Sequence, residues 1–390
     1  MKLQTDYGQA VMWSKGFLAE ETKAAIERVG ELEAEIANVE APFDAYFARW
    51  SYSFFRGELG SARETAESFL RAAEHAARPT EATAAHRILG VTLLYQGDFE
   101  GARARLEHTL RIYDPERDRE AKFRFGPDPK LAAIPNLGVS AWCLGDVRRA
   151  RELMDEARSG AVESAHAPTL ALTYHLQALL EILRDDAEAA RRAAEALVAL
   201  CREHGLASYL IWAGLPLAWA RAKLGDRGAG AAEFRQALAD YTSGGNRLFL
   251  PSYQGLLAEI EADGGDAEAA FAGVDGALTL AGETGEHWFD AALHRIRGEI
   301  LVKQDPADPA PAEAAFLAAI AVAQQQKARS FELRAALSLA RLYQSMGRPI
   351  DAYDVLGPAL AGFSPTPEFP QIAEAKALFE ALAPLVMRVR

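Results

Sequence analysis

A small residue recurs at two fixed offsets from a turn that itself recurs about every 40 residues. Taking Gly57, Gly97, Gly145, Asp185, Gly225, Gly265, Asp305 and Gly347 as turn markers gives steps of 40, 48, 40, 40, 40, 40 and 42 residues. An acidic residue often follows directly, as in Gly97-Asp98 and Gly225-Asp226. Five residues after each marker stand Ala62, Ala102, Ala150, Ala190, Gly230, Ala270, Ala310 and Ala352. Seven residues before it stand Gly90, Gly138, Ala178, Ala218, Ala258, Gly298 and Ala340, with Trp50 the exception. Small side chains let two backbones approach closely, so one such position on each helix of a hairpin marks the crossing point. The register therefore predicts helical hairpins stacked in a continuous array.

The pattern resembles the tetratricopeptide repeat, with its small residue on the first helix, Gly-Asp turn and alanine on the second helix. Here the unit exceeds the usual ~34 residues by about one helical turn, shared between longer helices and their connections. A narrower resemblance covers His86 to Leu224, through HRILGVTLLYQGDFEGARARLEHTLRIYDPERDREAKFRFGPDP, AWCLGD and REHGL. This stretch is similar to the C-terminal repeat region of large bacterial signalling ATPases, in which a class III nucleotidyl cyclase or DNA-binding domain and an ATPase module precede the repeats. Neither part is recognisable here, so the resemblance implies a fragment of such a protein or a free-standing relative.

The expected fold is all-α: an α-solenoid, one right-handed superhelix of about nine hairpins plus a C-terminal capping helix, spanning 1–390 as a single body because each repeat contacts its neighbours. The hairpins are expected at 3–36, 42–76, 80–113, 129–160, 165–204, 206–243, 246–284, 286–328 and 330–361, with the cap at 371–386. The 48-residue step exposes an insertion at 114–128, DPERDREAKFRFGPD, whose charge, prolines and glycine suit a long connection. Three prolines in DPADPAP, Asp305 to Pro311, forbid helix until Ala312.

Half the residues are apolar and a quarter charged, an ordinary composition for a soluble chain. The net charge of -13 argues against a nucleic-acid surface. It leaves open a basic partner or simple solubility. No secretory signal is visible behind MKLQTDYGQA, and no apolar stretch reads as a membrane span, so a cytoplasmic location is expected. Cys143 and Cys201 lack metal or redox spacing and read as buried free thiols.

A search for catalytic constellations is negative. No Gly-Lys dipeptide exists, which excludes a P-loop. GDRGAG at Gly225 to Gly230 lies between helices and reads as a hairpin turn, and the eight histidines contain no H-E-x-x-H. GVSAW at Gly138 to Trp142 lacks the second glycine of a nucleophile elbow. No enzyme, cofactor or metal is expected.

What remains is the concave surface, where proteins of this resemblance bind ligands with the first helix of each pair. Transferring the repeat offsets selects Arg87, Tyr95, Trp142, His175, Trp212, Trp219, Glu259, Arg295, Glu299, Arg334 and Arg341. Aromatic rings and forked guanidinium groups supply binding energy and orientation. An aromatic at helical spacing also packs a core, and both readings of each Trp stay open. Arg87 and Arg295 share one offset, and each must meet water, a carboxylate or a ligand, because a buried unpaired charge is costly. The insertion adds Arg124, Phe125 and Asp128, close in sequence to Asn136, as a loop that either narrows the groove or packs between units. The expected function is a non-catalytic interaction or sensor module of a bacterial signalling system. It would bind a protein segment or effector in the groove and act on an ATPase, cyclase or regulator domain. The alternative is a stand-alone receptor for an aromatic or anionic small molecule, lined by Trp212, Trp219 and Arg295. Oligomeric state is open.

Overall fold

The computed structural model describes residues 7–8, 11, 18, 20–35 and 43–387. Among these there are nineteen helices and no strand. Helix α1 is Glu20–Glu35; most of the rest of the first expected hairpin lies outside the described residues. Eight pairs follow: α2 (Phe43–Phe55) with α3 (Leu59–His75), α4 (Pro79–Tyr95) with α5 (Phe99–Ile112), and, after the short α6 (Ala121–Arg124), α7 (Pro129–Cys143) with α8 (Val147–Glu163). Next come α9 (Ala167–Arg184) with α10 (Ala187–His204), α11 (Ala207–Lys223) with α12 (Arg227–Ser243), and α13 (Leu250–Asp263) with α14 (Ala267–Thr284). The last pairs are α15 (Asp290–Gln304) with α16 (Ala310–Gln325) and α17 (Arg329–Ser345) with α18 (Pro349–Leu360), and α19 (Gln371–Met387) packs on α18. The chain is an α-solenoid of tetratricopeptide type.

Local chemistry explains the punctuation. Gly57, Gly97, Gly145, Gly225, Gly265 and Gly347 all have positive φ, as does Asp185, because each turn ends its first helix in a left-handed residue. Asp98, Asp146, Asp186 and Asp266 then accept the backbone N–H three residues on, satisfying a free donor of the second helix. The small positions are buried at the crossings, from Ala62 and Ala102 through Ala270 and Ala352. Ala310 departs from this expectation and is exposed. The proline-rich turn delays the start of α16, so Ala312 and Ala315 enter the core in its place.

The array curls until units five apart in sequence touch, which sets the shape of the groove. The Phe55 carbonyl accepts from Arg247 N at 2.9 Å and Leu248 N at 3.3 Å, and the Tyr95 carbonyl from His287 N at 3.1 Å and Trp288 N at 3.3 Å. Ser330 Oγ donates to the Trp142 carbonyl at 2.5 Å, and Arg184 Nε to the Glu368 carbonyl at 3.1 Å. Each acceptor in the first three unit contacts lies at the end of a first helix, where four carbonyls lack intrahelical partners. Aromatic rings fill this seam: Tyr95 meets Phe249 and Trp288 edge-on at 4.7 and 5.8 Å, and Trp142 meets Phe331 at 5.3 Å. One superhelical turn therefore rests on the next.

Candidate functional site

Closing the turns converts the concave groove into two chambers. The larger, about 230 Å³, is lined by residues of α9, α11, α13, α15, α17 and α19. Charged groups dominate it. Arg295, mostly buried, donates to Glu299 at 2.6 Å and to Glu259 at 3.2 Å, and Lys223 reaches Glu259 at 3.4 Å. Burial would raise the Glu259 carboxyl, but Lys223 and Arg295 outweigh it and hold the group well below its usual range. Burial would likewise lower Arg295, and its two glutamates reverse that, pushing it above its usual value. Ser338 Oγ donates to Glu299 at 2.8 Å, and Arg341 pairs with Glu374 at the more exposed edge.

Arg334 is different. Its Nε and Nη2 are buried without a hydrogen-bond partner, while its guanidinium lies 5.2 Å from both the Trp142 and Phe369 rings. Burial, followed by repulsion from Arg295, draws it down to about 10, so it remains charged near neutrality. The ring faces supply part of its stabilisation as cation–π contact. Two donors remain directed at no acceptor.

The smaller chamber, about 70 Å³, is aromatic. Arg87, Tyr95, Asn136, His175 and Trp212 line it together with Phe55 and Phe249. Arg87 Nη2 donates to the Phe125 carbonyl at 2.7 Å, and Tyr95 Oη donates to Asn136 Oδ1 at 3.4 Å. Burial holds the His175 imidazole near 4, so it is neutral around pH 7.

The residues chosen from the sequence thus separate into three groups. Trp219, Glu259, Arg295, Glu299, Arg334 and Arg341 meet in the charged chamber, and Arg87, Tyr95, His175, Trp212 and Asn136 in the aromatic one. Trp142 lines neither chamber: it is fully buried between turns, beneath Arg334. The insertion folds down on the array. Arg124 pairs with Asp44 at 2.8 Å and Glu81 at 3.0 Å, Phe125 is buried against Phe69, and Asp128 caps α7 and accepts from Tyr113 Oη at 3.0 Å. Phe125 and Pro127 nevertheless bring it to the aromatic chamber, through the bond from Arg87 and by lining the wall. Sequence reasoning missed Lys223 and Phe249. Lys223 stands two residues before Gly225, the same offset that selects Tyr95 before Gly97, so the register could have found it; Phe249 enters from a unit one superhelical turn away, which no offset within a repeat encodes.

Comparison with known proteins agrees with this architecture. No family model matches the chain. It is 26% identical over 240 residues, 61% of the chain, to an uncharacterised protein of Rhizobium meliloti (strain 1021), and spans 23% of that relative's length. Among solved structures, a Rap protein complexed with competence and sporulation factor aligns with a TM-score of 0.63 at 11% identity, covering 98% of both chains. NprR in complex with its cognate peptide NprX aligns at 0.54 and 12% identity, covering 90% of this chain and 99% of that one. The Rap conjugation gene regulator of plasmid pLS20 in complex with the Phr* peptide aligns at 0.53 and 11%, covering 98% and 96%. These likenesses show a shared helical-repeat fold. Both Cys143 and Cys201 are buried and free, and no described helix is long and apolar enough to cross a membrane.

Proposed function

We propose that the chain is a non-catalytic sensor module that takes a peptide segment or a peptide-like effector in the charged chamber. The carrying observation is Arg334: two buried donors without partners, beside an Arg295 that its glutamates already neutralise. A ligand carboxylate placed there completes the guanidinium fork, and a charge-assisted bond of this kind is among the stronger polar contacts available. Glu259 and Glu299 offer acceptors to ligand N–H groups in the same space. A peptide, with N–H donors along its backbone and a carboxylate on a side chain or terminus, matches this alternation of sign. Structural neighbours of the same fold carry peptides, which supports the reading. The chamber wall is built from successive superhelical turns, so occupancy is coupled to their spacing, and an ATPase, cyclase or regulator domain is the proposed receiver. The much greater length of the Rhizobium relative is compatible with such a joined domain.

The test is affinity selection from a displayed peptide library against the wild-type chain and Arg334→Gln. Peptides bearing an essential carboxylate should be retained by wild type and lost at least about tenfold by a folded R334Q, the scale of a hydrogen bond to a charged group. Failure to select any peptide, or equal retention by R334Q, refutes the assignment.

A further inference from the structure

The aromatic chamber contains a set of polar atoms that the peptide reading does not use. Arg87 is 4% exposed and His175 is 2% exposed, and Trp212 and Ser51 are equally buried. Arg87 Nε, both ring nitrogens of His175, Trp212 Nε1 and Ser51 Oγ all lack a hydrogen-bond partner. These four residues line one cavity. Buried polar groups are almost always paired, and the gathering of four such residues around one space points to a shared partner there. Ser51 is especially telling. The helical hydroxyls of Thr83, Thr92, Thr109 and Thr173 each donate to the carbonyl four residues back, and Ser51 has that outlet yet does not take it.

The electrical character of the cavity selects the ligand. No aspartate or glutamate lines it, and among the described residues no carboxylate lies within ion-pairing distance of Arg87. Arginine and tryptophan nitrogens only donate, a neutral histidine offers one N–H, and serine turns its hydroxyl to suit. The set therefore lacks an acceptor carrying negative charge. Phe47, Trp50, Phe54, Phe55 and Phe249 supply the remaining wall, which favours an apolar body behind that charge. Size completes the description. The space of about 70 Å³ is well below the ~150 Å³ void that admits benzene, and exceeds the ~30 Å³ share of a single water.

We propose that this chamber is a second binding site, for a short-chain organic acid monoanion whose carboxylate meets Arg87 and Trp212 Nε1 and whose two to four carbons lie against the aromatic wall. The site is independent of the peptide reading, since the two chambers share no lining residue.

The experiment uses sodium propionate as probe and propionamide as its uncharged match, titrated into the full chain by calorimetry at pH 7. In parallel, the Trp212 indole N–H resonance is followed by NMR and assigned by its absence in Trp212→Phe. Propionate should bind saturably, shift that resonance and bind at least about tenfold more tightly than the amide, with benzoate weaker because it exceeds the space. Arg87→Gln should lose about tenfold or more, and W212F, which keeps an aromatic ring in the wall and removes the donor, several-fold. Arg334→Gln, in the other chamber, should bind propionate as wild type does, so loss of the peptide reading leaves this one standing. No saturable binding by propionate, or equal binding of the amide, means that the chamber holds only water and overturns the proposal. Unchanged affinity in folded W212F, decisive if R87Q fails to fold, does the same.

Discussion

Gly230 occupies the crossing position that holds alanine in most other units, and the structure gives the reason. A Cβ built there would meet Ala222 N at 2.5 Å and Ala222 Cα at 2.6 Å, both backbone atoms of α11. Rotamer change cannot relieve this contact; α11 and α12 must separate. Gly→Ala within a helix normally gains about 1 kcal/mol of propensity, whereas overpacking costs about 1–3 kcal/mol and occasionally more. Because the obstruction is backbone, the upper part of that range applies, and Gly230→Ala should be net destabilising by about 2 kcal/mol. Gly276, in the middle of α14, is the control: it is exposed and an added Cβ meets nothing within 4 Å. Gly276→Ala should gain the ~1 kcal/mol that G230A forfeits. A chain of 390 residues has an unfolding entropy of roughly 0.8 kcal/mol/K, so the two melting midpoints should move in opposite directions, down by about 2–3 °C and up by about 1 °C. Hydrogen exchange localises the effect: amides of α11 and α12 should exchange about 30-fold faster in G230A where opening is local. A midpoint for G230A that rises like that of G276A would refute the close crossing.

Three further outcomes follow. Glu286 is fully buried, accepts from Phe249 N at 2.7 Å and Trp288 Nε1 at 2.9 Å, and is pushed by burial to about 8; folded protein then holds a proton that the unfolded chain releases above its ordinary value, so stability falls as pH rises from about 4.5 to 8, by on the order of 4 kcal/mol. Glu286→Gln removes that slope although it sacrifices one hydrogen bond, and a denaturation series showing an unchanged slope would exclude the assignment. Glu181 pairs with Arg151 at 2.7 Å and also with Arg184, and lies fully buried beside Glu368; Glu181→Ala leaves two guanidinium groups short of charge and should cost about 3–5 kcal/mol, which urea melts will read. Ala190→Phe, at a fully buried crossing, should cost about 1–3 kcal/mol or more, while Arg192→Phe on the exposed face should be near neutral; equal losses would mean that the crossing register is misplaced.

The repeat was legible because its signals are local. A left-handed residue, a capping aspartate and a methyl-sized side chain are each required within one hairpin, so Gly97, Asp98 and Ala102 announce a turn with no knowledge of the rest of the chain. Even GDRGAG resolves this way: Gly225 takes the left-handed turn, Gly228 is open, and Gly230 is the crossing. Ala310 was misread because three prolines displaced the helix start while the residue count stayed nearly regular. The chambers were only half legible. Offsets along a first helix find Arg87, Trp212 and Arg295, since those side chains face inward by helical geometry alone. They cannot find Phe249 or the closure of the groove, which depends on the curvature accumulated over five units. They also cannot separate Trp142 from Trp212, because both stand at offsets that the repeat assigns to the groove, three and thirteen residues before their turn markers. Only the arrival of Phe331 and Phe369 from later units encloses Trp142 between turns.

That closure also limits what each ligand can do. Six of the hydrogen bonds that cross the seam among the described residues, at Arg247, Leu248, His287, Trp288, Ser330 and Arg184, hold the turns together by roughly 6 kcal/mol at about 1 kcal/mol each, before the Lys327–Glu100 and Arg151–Glu368 contacts or any aromatic contact are counted. A ligand shifts the spacing of the turns only by the difference in its affinity for the two spacings, and carrying such an equilibrium from 1:99 to 99:1 takes about 5.5 kcal/mol. The short acid proposed for the aromatic chamber, with a few polar contacts and a few carbons, is too small to supply that difference and would act by completing the closed form. A peptide that meets α9, α11, α15 and α17 at once gathers contacts from both turns and reaches the required scale. Under the two proposals the chambers would divide the work by size: the small one would stabilise the seam, and the large one would move it.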